Sequence, residues 1–198
     1  MTRVAALAIL AGVISTSTLA GPVHDAASRG DLAAIEALLV EGAEIDARGE
    51  DGETPLIRAI LEGHADVAEL LIVHGADVMV RNERGLTPLH AAAYSGSAEA
   101  VRLLLDHGAA LEDRANVSGA TPLMLAAEEN HVAVAELLLV RGADLSIPDR
   151  EGATPLTQAW AKQRNEMVRL LKRHGATCQP VEFLGSEDYH RRCVEAGK

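Results

Sequence analysis

Thr87-Pro88-Leu89-His90-Ala91-Ala92-Ala93-Tyr94-Ser95-Gly96 is the stretch from which the fold can be read. Proline suits the first position of a helix, where the N–H it lacks would have no intrahelical acceptor, and the threonine before it is a good N-cap. A short apolar helix follows, and Gly96 can take the positive φ of a helix end. The opening tripeptide is not isolated. Thr-Pro-Leu recurs at Thr54, Thr87, Thr121 and Thr154, spaced by 33, 34 and 33 residues. A second marker keeps the same step, with glycines at 42, 75, 108, 142 and 175, each followed by alanine. Two markers sharing one period predict a stack of one repeated unit rather than a globular enzyme domain.

Each unit reads in the same way. A turn signal comes first: Glu50-Asp51-Gly52, Glu83-Arg84-Gly85, Val117-Ser118-Gly119 or Arg150-Glu151-Gly152. The capped first helix is next, and a second helix carries apolar residues at helical spacing, such as Val67, Leu70 and Leu71, or Val134, Leu137 and Leu138. The alanines of the first helix (Ala91, Ala92, Ala126, Ala127) let neighbouring units approach closely. No unit can bury its apolar face alone, so stacking makes the fold.

The chain therefore resembles the ankyrin-repeat family. Thr87-Pro88-Leu89-His90-x-Ala92 matches that family's signature, and Gly108-Ala109 and Gly142-Ala143-Asp144 match its repeat ending. The expected architecture is an all-α solenoid of about five stacked helix-turn-helix units with β-turn fingers. It occupies residues 21–177, with Gly21 to Ala27 as a worn first copy. Local departures carry expectations of their own. Asn130 replaces a helix-ending glycine and tolerates positive φ, whereas Gln163 does so poorly and predicts that the last unit turns differently. Trp160, where alanine is usual, fits a terminal unit with no further neighbour. One extra residue between Gly108 and Gly119 predicts a longer turn entering the fourth unit.

Residues 1–20 have the three parts of a secretory signal: Arg3, an apolar run from Val4 to Ile14, and small residues up to Ala20, after which cleavage is expected. The apolar run is well short of the roughly 20 residues that span a bilayer. The expected location is the periplasm or the exterior. Cys178 and Cys193, the only cysteines, lie in a tail, residues 178–198, that follows the last unit. In an oxidising compartment they are expected to pair, a loop worth about 3 kcal/mol in the chain-entropy model; the alternative is two buried thiols. Ser186 is read as the cap of a short helix through Tyr189 to Cys193, with Phe183 and Leu184 as apolar cover.

The net charge is −11 with histidine neutral. That balance disfavours nucleic acid and anionic membrane surfaces as partners. It is also graded: acidic residues outnumber basic ones twelve to three over residues 21–70, whereas basic residues lead nine to seven over residues 149–198.

No residue set points to catalysis. The sequence has no Gly-x-Ser-x-Gly elbow, no phosphate-binding glycine loop and no Cys-x-x-Cys or His-x-x-x-His pair. Its eight histidines are locked to the repeat. His74, His107 and His174 precede repeat-ending glycines, His64 and His131 open second helices, and for His24 and His90 the resemblance implies imidazoles bridging adjacent turns. The pairs Glu50-Asp51 and Glu128-Glu129 read as solvated charge. The expectation is a protein without cofactor, metal or enzymatic activity, although an enzyme or metal protein stays as a minor alternative.

The resemblance implies a protein partner on the concave face formed by the turns and the ends of the first helices. On this sequence that face comprises Glu50, Asp51, Glu53, Leu61 and Glu62; then Glu83, Arg84, Leu86, Tyr94 and Ser95; then Val117, Ser118, Glu128 and Glu129; and finally Arg150, Glu151 and Lys162. Leu61, Leu86 and Tyr94 are apolar where the repeat does not demand it, the composition of an interface hot spot. The expected partner presents a basic surface around an apolar pocket to a monomeric scaffold. Small exported members of the resembled family imply support of an envelope protein. The acidic first half suggests instead an inhibitor or immunity protein against a basic toxin or hydrolase.

Overall fold

The computed structural model describes residues 17–180 and 187–195. Its first ten helices form five antiparallel pairs: α1 (Ser17–Arg29) with α2 (Leu32–Val40), α3 (Pro55–Leu61) with α4 (Ala65–Val73), α5 (Pro88–Ser95) with α6 (Ala98–Asp106), α7 (Pro122–Glu129) with α8 (Val132–Val140), and α9 (Pro155–Ala161) with α10 (Asn165–Arg173). A short tail helix, α11 (Glu187–Glu195), follows. First helices pack on first helices and second on second, so the molecule is a solenoid of two helical layers. The buried alanines Ala59, Ala92, Ala93, Ala126, Ala127 and Ala159 line the inner layer, and Leu71, Leu104, Leu138 and Leu171 fill the space between the layers.

The four Thr-Pro starts behave as the sequence predicts. The hydroxyls of Thr54, Thr87, Thr121 and Thr154 each accept the backbone N–H three residues on, at 3.3–3.4 Å. At the helix ends the left-handed residue is Gly96 (φ 80°), Asn130 (φ 65°) or Gln163 (φ 58°). The expectation for Gln163 is therefore corrected: the last unit turns like the others. Its turn is held by Gln163 N–H donating to Trp160 O at 2.9 Å and Arg164 N–H donating to Ala159 O at 2.8 Å, and these bonds offset a side-chain strain of about 1 kcal/mol.

Three joints between units use the residue that opens a second helix, whereas Ser97, which opens α6, caps its own helix by accepting Ala100 N–H at 3.2 Å. His64 Nε2 donates to Ser28 O at 3.0 Å, His131 Nε2 to Tyr94 O at 2.8 Å, and Arg164 Nε to Glu128 O at 3.0 Å. Each reaches back to the end of the preceding first helix. A Cβ on Gly96 would lie 2.5 Å from the His131 ring, so that glycine supplies space as well as positive φ.

Two further ladders run at the same period. Arg48 donates to Arg81 O at 2.6 Å, Arg81 pairs with Asp113, and Arg114 donates to Pro148 O at 2.5 Å. Alongside them, the Asp46 carboxylate accepts Asp77 N–H at 3.1 Å and Glu112 accepts Asp144 N–H at 2.7 Å.

Cys178 and Cys193 form a disulfide with their Cα atoms 6.1 Å apart. Cys193 is buried against the end of the core, and its carbonyl accepts a hydrogen bond from Lys172. Ser186, Phe183 and Leu184 lie outside the described residues, as does the signal segment up to residue 16. The first helix, α1, runs from Ser17 and encloses Pro22.

Candidate functional site

From the third unit on, the fingers are held by asparagine or aspartate side chains, whereas the first finger closes on backbone bonds at Gly49. Asn82 Oδ1 accepts the N–H groups of Arg84 and Leu86 at 3.0 and 2.9 Å. Asp149 Oδ1 holds Glu151 and Ala153 in the same way at 2.9 and 2.8 Å. In the fourth unit the duty is divided. Asp113 accepts Ala115 N–H at 3.0 Å while buried Asn116 accepts Ala120 N–H at 3.0 Å, and the inserted residue lies between them. The predicted longer turn is thus present, and it is absorbed before the fingertip. It also brings backbone against Gly85, where an added Cβ would meet Ala115 O at 2.7 Å.

Fingers are joined to one another by a regular ladder. Glu83 N–H donates to Asp51 O at 2.9 Å, Val117 N–H to Arg84 O at 3.0 Å and Arg150 N–H to Ser118 O at 3.0 Å. Histidines tie this ladder to the helices. His24 Nε2 donates to Glu53 O at 2.8 Å, and His90 Nε2 donates to Ala120 O at 3.0 Å. At the other side of the His90 ring, Nδ1 accepts Thr87 N–H at 3.2 Å, which fixes the neutral Nε2–H tautomer. Burial holds the His90 pKa below its ordinary value, outweighing the raising effects of the Ala120 carbonyl and Asp113. For His90 these bonds join two backbone groups of successive units, and for His24 the bond to Glu53 O ties α1 to the first finger.

Between the fingers and the first-helix ends lies a concavity of about 650 Å³ spanning the second to fourth units. Of the residues singled out from sequence, Asp51, Glu53, Leu61, Arg84, Leu86, Tyr94, Val117 and Ser118 line it together. Glu50, Glu62, Glu83, Ser95, Glu128, Glu129, Arg150, Glu151 and Lys162 do not line it. Tyr94 and Val117 are 53% and 68% exposed, whereas Leu61 is half-buried against the core and so also has a packing role.

Ile57, Ala91 and Leu125 complete the apolar floor, a contribution the sequence reading missed. Leu125 had a signal: its register is occupied by Arg58, Ala91 and Gln158 in the other units, so leucine there exceeds what the repeat requires.

The charges around this floor are unequal in their availability. Arg58 pairs with Glu53 at 2.9 Å and approaches Glu62 at 3.9 Å, while Lys162 pairs with Glu128 at 3.0 Å. Glu128 and Glu129 are less exposed than Glu50 and Asp51, and Glu128 has Lys162 beside it. Arg150 folds onto Val117 O at 2.6 Å. By contrast the side chains of Asp51 and Arg84, on adjacent fingers, make no ion pair or hydrogen bond among the described residues.

No group of three or more His, Cys, Asp or Glu side chains placed to hold a metal ion occurs among the described residues. Within the same residues, no helix is long and apolar enough to cross a membrane.

Comparison with curated proteins gives no significant match. A family model described as ankyrin repeats in three copies matches residues 23–115 and again residues 109–182. These two matches span the five helix pairs, their fingers and the histidine bridges between them. On that evidence the chain belongs to the ankyrin-repeat family.

Proposed function

We propose that this chain is an exported binding module that holds or stabilises an envelope protein through its concave face. The observation that carries the reading is the open apolar concavity, in which Leu61, Leu86, Tyr94, Val117 and Leu125 converge from three successive units. A binding module needs such a cluster, because a few well-placed apolar and aromatic side chains supply most of the free energy of a protein interface. A concavity on this chain calls for a protruding apolar group on the partner. Basic groups beside it would meet the acidic excess of the first units.

Export rests on Arg3, the apolar run and the small residues ending at Ala20. Cleavage there would leave α1 beginning at Gly21 with Pro22 in its first turn, the place where proline is best tolerated.

The test is affinity capture from the envelope fraction of the native host, with wild-type protein beside a Leu61→Ala, Leu86→Ala, Tyr94→Ala variant whose fold is verified by circular dichroism. A single dominant partner held by the wild type and lost by the variant is expected. Equal capture by both would move binding away from this face and sink the reading. The inhibitor reading draws on the acidic first units; it predicts that the captured protein is a basic toxin or hydrolase whose activity falls on binding.

A further inference from the structure

We propose that the concavity is built for one extended segment carrying an apolar anchor between a basic and an acidic residue. This rests on the binding reading above and goes beyond it by giving the partner's chemistry.

Several charges near the floor are already engaged. Glu53 is paired with Arg58, Glu128 with Lys162, and Arg150 is folded onto its own stack, so these charges have partners before any ligand arrives. Among the described residues the side chains of Asp51 and Arg84 have none. They stand on fingers linked by the Glu83 N–H to Asp51 O bond, carry opposite charge and are not paired with each other. Both line the concavity.

Along the stack the second unit brings the anion Asp51 with Leu61, the third brings the cation Arg84 with Leu86 and Tyr94, and the fourth brings Val117 with Leu125. A chain lying across three units in extended form advances about 3.3 Å per residue. It would meet those features in sequence: a lysine or arginine at Asp51, a large apolar side chain on the Leu86–Tyr94 floor, and an aspartate or glutamate at Arg84. A uniformly basic partner surface would meet Arg84 as a repulsive contact, so this pattern narrows the expectation drawn from net charge alone. Charges of this kind select among partners more than they add affinity, while the apolar floor supplies the binding.

The test uses a library of random ten-residue peptides displayed on phage and selected on the purified, disulfide-bonded chain. Enriched peptides should share an aromatic or long aliphatic residue flanked by one basic and one acidic position. A synthetic member is then titrated by fluorescence anisotropy. Asp51→Lys and Arg84→Glu should each weaken it roughly tenfold, and each loss should be recovered by the peptide with the matching charge inverted.

Enrichment without the charge pattern, or binding indifferent to both substitutions, would overturn the proposal. If host-protein capture still depends on Leu61, Leu86 and Tyr94 in that event, the binding function stands and only the partner's chemistry is wrong. If both dependences fail, the concave face is not the site.

Discussion

The third and fifth units begin with the same three residues and end in different company. In the third, His90 sits fully buried under the next finger and donates to Ala120 O, while Thr87 both caps α5 and meets the His90 ring. In the fifth, the equivalent position is Thr157, and no further finger follows among the described residues. The tail stands in for it. Thr157 Oγ1 donates to Gln179 Oε1 at 2.5 Å, Gln179 Nε2 donates to Gly152 O at 2.6 Å, and the disulfide anchors the segment that carries Gln179. An inner unit is held by a neighbour made of the same sequence; the last unit needs a partner of different construction, because a solenoid's end exposes the surface that every other unit buries.

That contrast can be broken most severely at His90. His90→Ala should cost about 4 kcal/mol, since it leaves a cavity and strips buried N–H and C=O groups of their partner, whereas Thr157→Ala should cost only about 1 kcal/mol. Urea denaturation of the two variants measures both.

Next in size is the tail. Replacing both cysteines by serine should cost about 3 kcal/mol, confined to one end. Hydrogen exchange should accelerate in α9 and α10 and stay unchanged in α5 and α7. A uniform rise through all five units would show that the stack unfolds as a single block.

The helix ends sharpen the comparison further. Gly96→Ala should cost about 2 kcal/mol, combining positive φ with displacement of the His131 ring from Tyr94 O, and Gln163→Gly should gain about 1 kcal/mol by relieving a side chain at φ 58°. Thermal melts of the two variants should shift in opposite directions.

The smallest effect is one of pH. Because burial lowers the His90 pKa, the unfolded chain takes up the proton first on acidification. The stability His90 provides is therefore complete above its unfolded value of 6.5 and is lost as pH falls from there through the lower folded value. A wild-type melting temperature that declines below pH 6.5 more steeply than that of His90→Gln is the expected result; parallel curves would exclude this linkage.

The unit, its length and its number are legible in the order of residues alone. Thr-Pro starts, glycine ends and alanine-rich first helices each express a local backbone requirement, and they recur often enough to be counted, the Thr-Pro start in four of the five units. Much of the floor's rim was legible for the same reason: Leu61, Leu86 and Tyr94 stand out against the register of the repeat. Which charges remain available depends on the folded stack, because pairing depends on side chains distant along the chain or across a turn meeting in space. Arg58 claims Glu53 and Lys162 claims Glu128, whereas Asp51 and Arg84 are left over. Stacking likewise brought Ile57 and Leu125 into one floor and carried Gln163 into a glycine's conformation, since neighbouring bonds there outweigh the preference of a single residue.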